Sequence, residues 1–123
     1  MKILVIEDAA NIRRVVIRLL RQMFDGALID ATETADEAID LIKVATLNTP
    51  YDFVISDFNL VGVRTGGDVL EWIRNHASYL EPRFLFLTSD DSAAKLHKYY
   101  VEKPCDSATL RTAIETVLNE SRS

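Results

Sequence analysis

The sequence predicts an α/β fold: a (βα)5 doubly wound, five-stranded parallel sheet. Three observations carry that reading. Runs such as Ile3–Ile6, Phe53–Ile55 and Phe84–Leu87 are continuously apolar, as in strands buried on both faces, and lack the alternation of a half-exposed sheet. Between them lie segments whose apolar residues recur at helical spacing. The two patterns alternate from end to end without a repeat or a Gly-, Ser- or Pro-rich linker, which predicts a single domain over residues 1–123.

Each element has its own signal. Residues 2–7 read as the first strand. Residues 9–24 read as a helix whose inner face is Ile12, Val16, Leu19, Leu20 and Met23. Residues 27–31 form a second strand of weaker pattern. Thr34 caps the next helix, with Glu37 completing a capping-box signature and Ala38, Ile39, Leu41 and Ile42 turned inward. Pro50 ends that helix, and residues 52–57 form the third strand. Gly66-Gly67-Asp68 opens a helix carrying Val69, Leu70, Trp72 and Ile73. Residues 84–88 are the fourth strand, Ser92–His97 a short helix and 99–102 a fifth strand. Ser107 caps the last helix, whose inner face is Leu110, Ala113, Ile114, Val117 and Leu118.

Bulk properties narrow the function classes. A formal net charge of −5 argues against a general binder of nucleic acid or anionic membrane, since both rely on clustered positive charge. The single cysteine, Cys105, excludes an internal disulfide and fits a reducing cytoplasm. The apolar start is interrupted by Glu7-Asp8, too soon for a signal-peptide core or a membrane span.

In parallel sheets ligands gather beyond the carboxyl ends of the strands. Glu7, Asp8, Asp57, Thr88 and, just past the fifth strand, Lys103 all fall there. Magnesium takes oxygen ligands and commonly binds through one or two carboxylates plus a phosphate oxygen. Asp8 and Asp57 supply that minimum, with Glu7 acting through water. A carboxylate is also a nucleophile that can form an aspartyl phosphate. Phosphoryl transfer asks mainly for alignment and neutralised oxygen charge, which Lys103 and the Thr88 hydroxyl can provide. Taken singly, the acidic pair also reads as a solvated turn, Asp57 as a turn former, Thr88 as a strand end and Lys103 as a surface charge. Their order along one (βα)5 chain is what points to a site.

At these residues the sequence resembles the response-regulator receiver domain of two-component signalling, a CheY-like fold, over essentially its whole length. The matching pieces are Ile6-Glu7-Asp8, Val54-Ile55-Ser56-Asp57-Phe58-Asn59, Leu87-Thr88-Ser89 and Glu102-Lys103-Pro104. The resemblance implies a flavodoxin-like strand order 2-1-3-4-5. It implies that Asp57 is the phosphoacceptor, receiving a phosphoryl group from a sensor histidine kinase or a histidine phosphotransfer protein. Asp8 and the backbone carbonyl of Asn59 would join Asp57 on Mg2+, while Thr88 and Lys103 contact the phosphoryl oxygens. It implies a cis Lys103-Pro104 peptide, and a switch in which Thr88 moves and Tyr100 fills the vacated space; Tyr100 also reads as a half-buried strand aromatic. Asn59 and Asp90 stand where family members tune hydrolysis of the aspartyl phosphate. Such a domain is a phospho-accepting regulator rather than an enzyme, acting in the cytoplasm on a downstream protein.

The chain departs from the family pattern in places. The loop after Asp57, Leu60-Val61-Gly62-Val63-Arg64-Thr65, lacks the usual Met-Pro and is longer. Ser89 stands where Ala or Gly is usual. Between Thr88 and Lys103 the chain is shorter than the family habit by roughly two helical turns. The fourth helix is therefore short or absent, and the surface through which many relatives dimerise is remodelled. On the first helix, Arg13, Arg14, Arg18 and Arg21 share one side with an exposed Ile17. This reads either as a solvated charged face or, by the resemblance, as a docking patch of Arg14, Ile17, Arg18 and Arg21 for the helical bundle that carries the phosphohistidine. His76 and His97 read as surface residues, Cys105 as a space-filler and Trp72 as core.

Other functions remain open to the sequence. A degenerate receiver would act as a phosphorylation-independent interaction module. A Mg2+-dependent phosphatase with an aspartate nucleophile would resemble haloacid-dehalogenase-like enzymes at Asp57-Phe58-Asn59, although those carry Asp where Asn59 stands.

Overall fold

The computed structural model describes residues 1–121; Arg122 and Ser123, the end of the predicted domain, lie outside the described residues. The strands are β1 (Lys2–Ile6), β2 (Leu28–Thr32), β3 (Phe53–Ser56), β4 (Phe84–Thr88) and β5 (Tyr100–Glu102). The helices are α1 (Ala10–Met23), α2 (Ala35–Leu47), α3 (Gly66–His76), α4 (Ser92–Leu96) and α5 (Ser107–Ser121). All strands pair in parallel, in the order β2-β1-β3-β4-β5 that the resemblance implied.

The layers follow from the strand period of two. Leu4, Ile6, Val54, Phe84 and Phe86 point to the face covered by α2 and α3, where Ala38, Ile42, Val69 and Ile73 meet them. Ile3, Val5, Phe53, Ile55, Leu85 and Leu87 point to the opposite face, against Val16 and Leu20 of α1 and Ile114 and Val117 of α5. Both faces of β1, β3 and β4 are thus buried, which is why these strands read as unbroken apolar runs. The edge strands β2 and β5 are the exceptions. In β5 Tyr100 and Glu102 are exposed; in β2 Leu28, Asp30 and Ala31 are exposed, and its sequence pattern is correspondingly weak.

Helix starts are set by side chains. The Thr34 hydroxyl accepts the Glu37 N–H at 3.1 Å, as the capping signature predicts. The sequence reading missed a second box: Thr65 and Asp68 cap each other's backbone N–H at the start of α3. It also placed the cap of α5 at Ser107. Ser107 is instead the first helical residue, and the Asp106 carboxylate accepts the Thr109 N–H at 2.7 Å. A 3-10 turn at Ser78–Arg83, unpredicted, joins α3 to β4.

The fourth helix is indeed short, little more than one turn. Its end corrects another expectation: His97 is a core residue. Its ring packs edge-on against Phe84 and Tyr99, and its Nε2–H donates to the Phe84 carbonyl at 2.7 Å. β5 begins opposite Phe86, so the carbonyl of Phe84 has no β5 residue across from it, and the imidazole pairs with it instead. Burial pushes the His97 pKa down, with the Arg74 and Lys98 charges adding to that and Glu81 opposing it. Trp72 is half-buried, packed on the core edge beside His76.

Candidate functional site

The backbone ladder carries the site residues one step past the strand ends. The Glu7 N–H donates to Thr32 O at 2.9 Å, Asp57 N–H to Ile6 O at 3.0 Å, and Lys103 N–H to Thr88 O at 3.0 Å. Register therefore places Glu7, Asp57 and Lys103 along one edge of the sheet. Oxygens of Glu7, Asp8 and Asp57 lie within 4.8 Å of one another. Three carboxylates this close repel, and Lys103 offsets part of that charge: its Nζ donates to Glu7 Oε1 at 2.5 Å and to Asp57 Oδ2 at 2.9 Å. Glu7 is almost fully buried and Asp57 nearly so, and the Lys103 side chain is only 17% exposed. Burial raises the Glu7 pKa; the Lys103 hydrogen bond and charge pull against it, and the Asp57 charge adds to it. For Lys103 burial works against the charge, but its bonds to Glu7 and Asp57 leave the pKa raised. The lysine stays cationic.

Around this centre lie polar groups in a connected chain. The Asn59 N–H donates to Asp57 Oδ1 at 3.3 Å, and the Asn59 side-chain amide to Asp90 Oδ2 at 3.1 Å. Asp90 Oδ1 accepts the Ser92 N–H at 2.9 Å, and the Asp90 N–H donates to the Thr88 hydroxyl at 3.1 Å. Thr88 is buried, and its own hydroxyl proton is not spent on the Asp90 contact. The predicted tuning pair, Asn59 and Asp90, thus bridges the mouth of the site by a direct bond. The hydrogen bonds from Ser92, and after them the one from Asn59, hold the Asp90 pKa below its usual value.

Two residues here escaped the sequence reading. Gly66 N–H donates to Phe58 O at 2.7 Å, and a Cβ on Gly66 would lie 2.0 Å from the carbonyl oxygen of Asp57. Only glycine lets α3 start this close behind the aspartate. Arg13, grouped by sequence with the outward arginines, turns inward: Nη1 donates to Glu7 O at 2.9 Å and lies 3.3 Å from Glu33. The position of Arg13 on the helical wheel borders the buried face, which was the available signal.

The remaining predicted residues sit away from the carboxylates. Tyr100 is exposed at the sheet edge, while Tyr99 beside it is buried. Arg14, Ile17, Arg18 and Arg21 do line one shallow depression of about 510 Å3 on α1. Ile17, expected to be exposed, is half-buried and leans on the core, because its position overlaps the apolar stripe. The exposed large apolar residue of α1 is instead Val15. The Lys103-Pro104 peptide is cis, as the resemblance implied.

Comparison with known proteins agrees with this geometry. Residues 3–115 match the response regulator receiver domain. The chain belongs to that family. The chemotaxis protein CheY of Pseudomonas aeruginosa is 28% identical, with 95% of each chain covered. The chemotaxis protein CheY-3 of Vibrio cholerae is 27% identical over 95% of this chain and 91% of its own length. Among solved structures, the response regulator TrrA of Thermotoga maritima in complex with Mg(2+)-BeF is 26% identical, with a TM-score of 0.75, covering 94% of this chain and 97% of that one. A receiver domain protein from Clostridium thermocellum is 25% identical, also at 0.75, covering 98% and 96%.

Receiver domains bind Mg2+ at an acidic cluster, and the donors here fit it. They are all oxygens, they converge within 4.8 Å, and Glu7 and Asp57 are buried or nearly so while Asp8 is partly exposed. Among the described residues no helix is long and apolar enough to cross a membrane.

Proposed function

We propose that this receiver takes a phosphoryl group on Asp57 from a phosphohistidine and thereby switches a protein-binding surface. One observation supports it above the rest: a single half-buried lysine joins Asp57 to Glu7, with Asp8 alongside. A cationic group and a cluster of acids so placed suit a reaction whose main need is charge neutralisation around a transferring phosphoryl group. In the proposed step a carboxylate oxygen of Asp57 attacks phosphorus, the N–P bond of the donor breaks, and its electron pair stays on the imidazole. Mg2+, held by Asp8, Asp57 and the Asn59 carbonyl with Glu7 reached through water, would neutralise charge on the phosphoryl oxygens. Lys103 would shift from Asp57 Oδ2 to the new phosphoryl group, and the Thr88 hydroxyl proton would follow. Asn59 and Asp90 would set how water reaches the aspartyl phosphate and so its lifetime.

The chain on this reading is a regulator whose only chemistry is its own phosphorylation and its reversal. It would work in the cytoplasm, with this chain folding as one receiver domain. With α4 about one turn long, the usual dimer face would be remodelled, and Tyr100, exposed at the β5 edge, would report the switch. The test is intact-mass measurement after incubation with Mg2+ and acetyl phosphate. A phosphoryl adduct that disappears in Asp57→Asn and without Mg2+ is expected. An adduct that persists in Asp57→Asn, or none under any condition, would sink the reading.

A further inference from the structure

We infer that His97 makes α4 an acid-released latch: proton uptake by its ring frees the turn from the sheet and dissolves the Asp90 bridge to Asn59 over the acidic cluster. The device needs no phosphoryl group on Asp57, so it gives the domain a second input.

The first observation is how little holds α4. Its five residues are far fewer than a helix needs to persist in water, so Ser92–Leu96 depends on its ties. At the start, Asp90 Oδ1 accepts the Ser92 N–H while Oδ2 accepts the Asn59 side-chain amide. At the end, Arg74 donates to the Leu96 carbonyl, and His97, only 8% exposed, donates from Nε2 to the Phe84 carbonyl. Arg74 ties that end to α3 and is shared with Glu81; the imidazole ties it to β4. Between the two ends Ala93 is the one residue of α4 that the core buries.

The second observation is what surrounds the ring. Nε2–H is committed to a carbonyl, so an arriving proton goes to Nδ1. His97 lines a recess of about 500 Å3 with Arg74, Glu81, Lys95 and Lys98, which gives that proton a way in and the ring a way out. The neighbours disfavour a cation in place. Arg74 on α3 and Lys98 next in the chain are both positive, and β4 presents only the rings of Phe84 and Phe86. Glu81 of the 3-10 turn favours the cation, but it is already paired with Arg74. Tyr99, edge-on to the imidazole, has its own charged neighbours in Lys98 and in Glu120 of α5. Burial is the largest cause of the lowered His97 pKa; the Phe84 bond and Glu81 oppose it without reversing it. A protonated ring is therefore more stable in water than in its slot. Once it leaves, α4 loses its tie to β4, the turn unwinds, and Asp90 loses the Ser92 N–H that fixes its carboxylate beside Asn59.

The test is amide hydrogen exchange of the full chain by NMR, corrected for the intrinsic effect of pH. The freed ring takes a proton with an ordinary histidine pKa, whereas the seated ring holds out to lower pH. The opening constant of the Ser92–Leu96 amides should therefore rise about tenfold from about pH 7.5 to about pH 5.5. These amides should open more often than those of Val5 and Ile55 at every pH, and the Asn59 side-chain amide signals should shift over the same range. His97→Gln keeps a donor for the Phe84 carbonyl and cannot titrate, so its opening should not follow pH. A flat profile in the wild type, or an unchanged rise in His97→Gln, would overturn the latch. So would α4 amides that open only as often as Val5 and Ile55, because the release would then be unfolding of the whole domain. The ring signals of wild-type His97 give a check that needs no variant: titration at or above the ordinary histidine pKa would overturn the inference as well.

Discussion

Two regions around β4 are held in different ways. At its carboxyl end, beside Asp57, position comes from register: parallel pairing runs through β1, β3 and β4, and the ladder continues to Glu7, Asp57 and Lys103. At the α4 side, one helical turn is fastened by side chains reaching the backbone. Arg74 holds the Leu96 carbonyl, His97 holds the Phe84 carbonyl, and Asp90 holds the Ser92 N–H. A ladder bond depends on every residue of two strands; a side-chain bond depends on one. The acidic cluster and its lysine sit on the first kind of support, and the single turn of α4 sits on the second.

Four perturbations separate the two regions. Gly66→Ala should be the most damaging, because the added methyl cannot avoid the Asp57 carbonyl and the aspartate or α3 must move. We expect a loss of at least about 3 kcal/mol in urea unfolding. A variant that unfolds like the wild type would show the centre to be soft. His97→Ala comes next, at about 2–3 kcal/mol, from a lost ring and an orphaned carbonyl. It also carries a pH signature. With its pKa lowered by burial, folded His97 takes up a proton only below the pH at which the unfolded chain does. Stability from neutral His97 is therefore full above pH of about 6.5 and falls as pH drops through that value. Thermal melts of His97→Ala between pH 5 and 7, as a rough window about that pKa, should lack this slope. A slope unchanged in the variant would assign it to another group.

Adding Mg2+ acts on the centre alone. At tenfold excess over its dissociation constant it should stabilise the fold by about 1.4 kcal/mol, and the gain should vanish in Asp8→Asn. Equal stabilisation of that variant would place the ion elsewhere. Asp90→Ala should have the smallest effect. Melting is expected to stay nearly constant while amide exchange quickens at Ser92–Leu96, since the lost carboxylate ties the Ser92 N–H to the Asn59 side chain. Unchanged exchange would mean that Arg74 and His97 suffice.

The same division explains what the sequence disclosed. Strands buried on both faces announce themselves as apolar runs, and their ends deliver Glu7, Asp57 and Thr88 to one edge, so the fold and the central residues could be read directly. The length between Thr88 and Lys103 announced the short α4. What filled the gap was hidden, because a lone histidine beside lysines looks solvated; only the missing β5 partner of Phe84 draws it inward. Gly66 was hidden for a related reason: a glycine pair reads as a helix start, and nothing in its neighbours says that a carbonyl lies behind it. Ile17 and Arg13 were misplaced because each lies at the border of α1's apolar stripe, where a small rotation of the helix decides which side faces water.

The bond from the Lys103 N–H to the Thr88 carbonyl has a mechanical consequence. The two residues proposed to grip the phosphoryl group are fastened to each other through their main chains, at 3.0 Å. Neither can slide along its strand without dragging the other. A hydroxyl that turns toward Asp57 must do so by rotation about the Cα–Cβ bond of Thr88, a β-branched side chain with few χ1 wells. On the proposed function, the first motion after phosphorylation would then be a discrete jump of one torsion. Whatever listens to this domain would hear a click rather than a gradual displacement of the sheet.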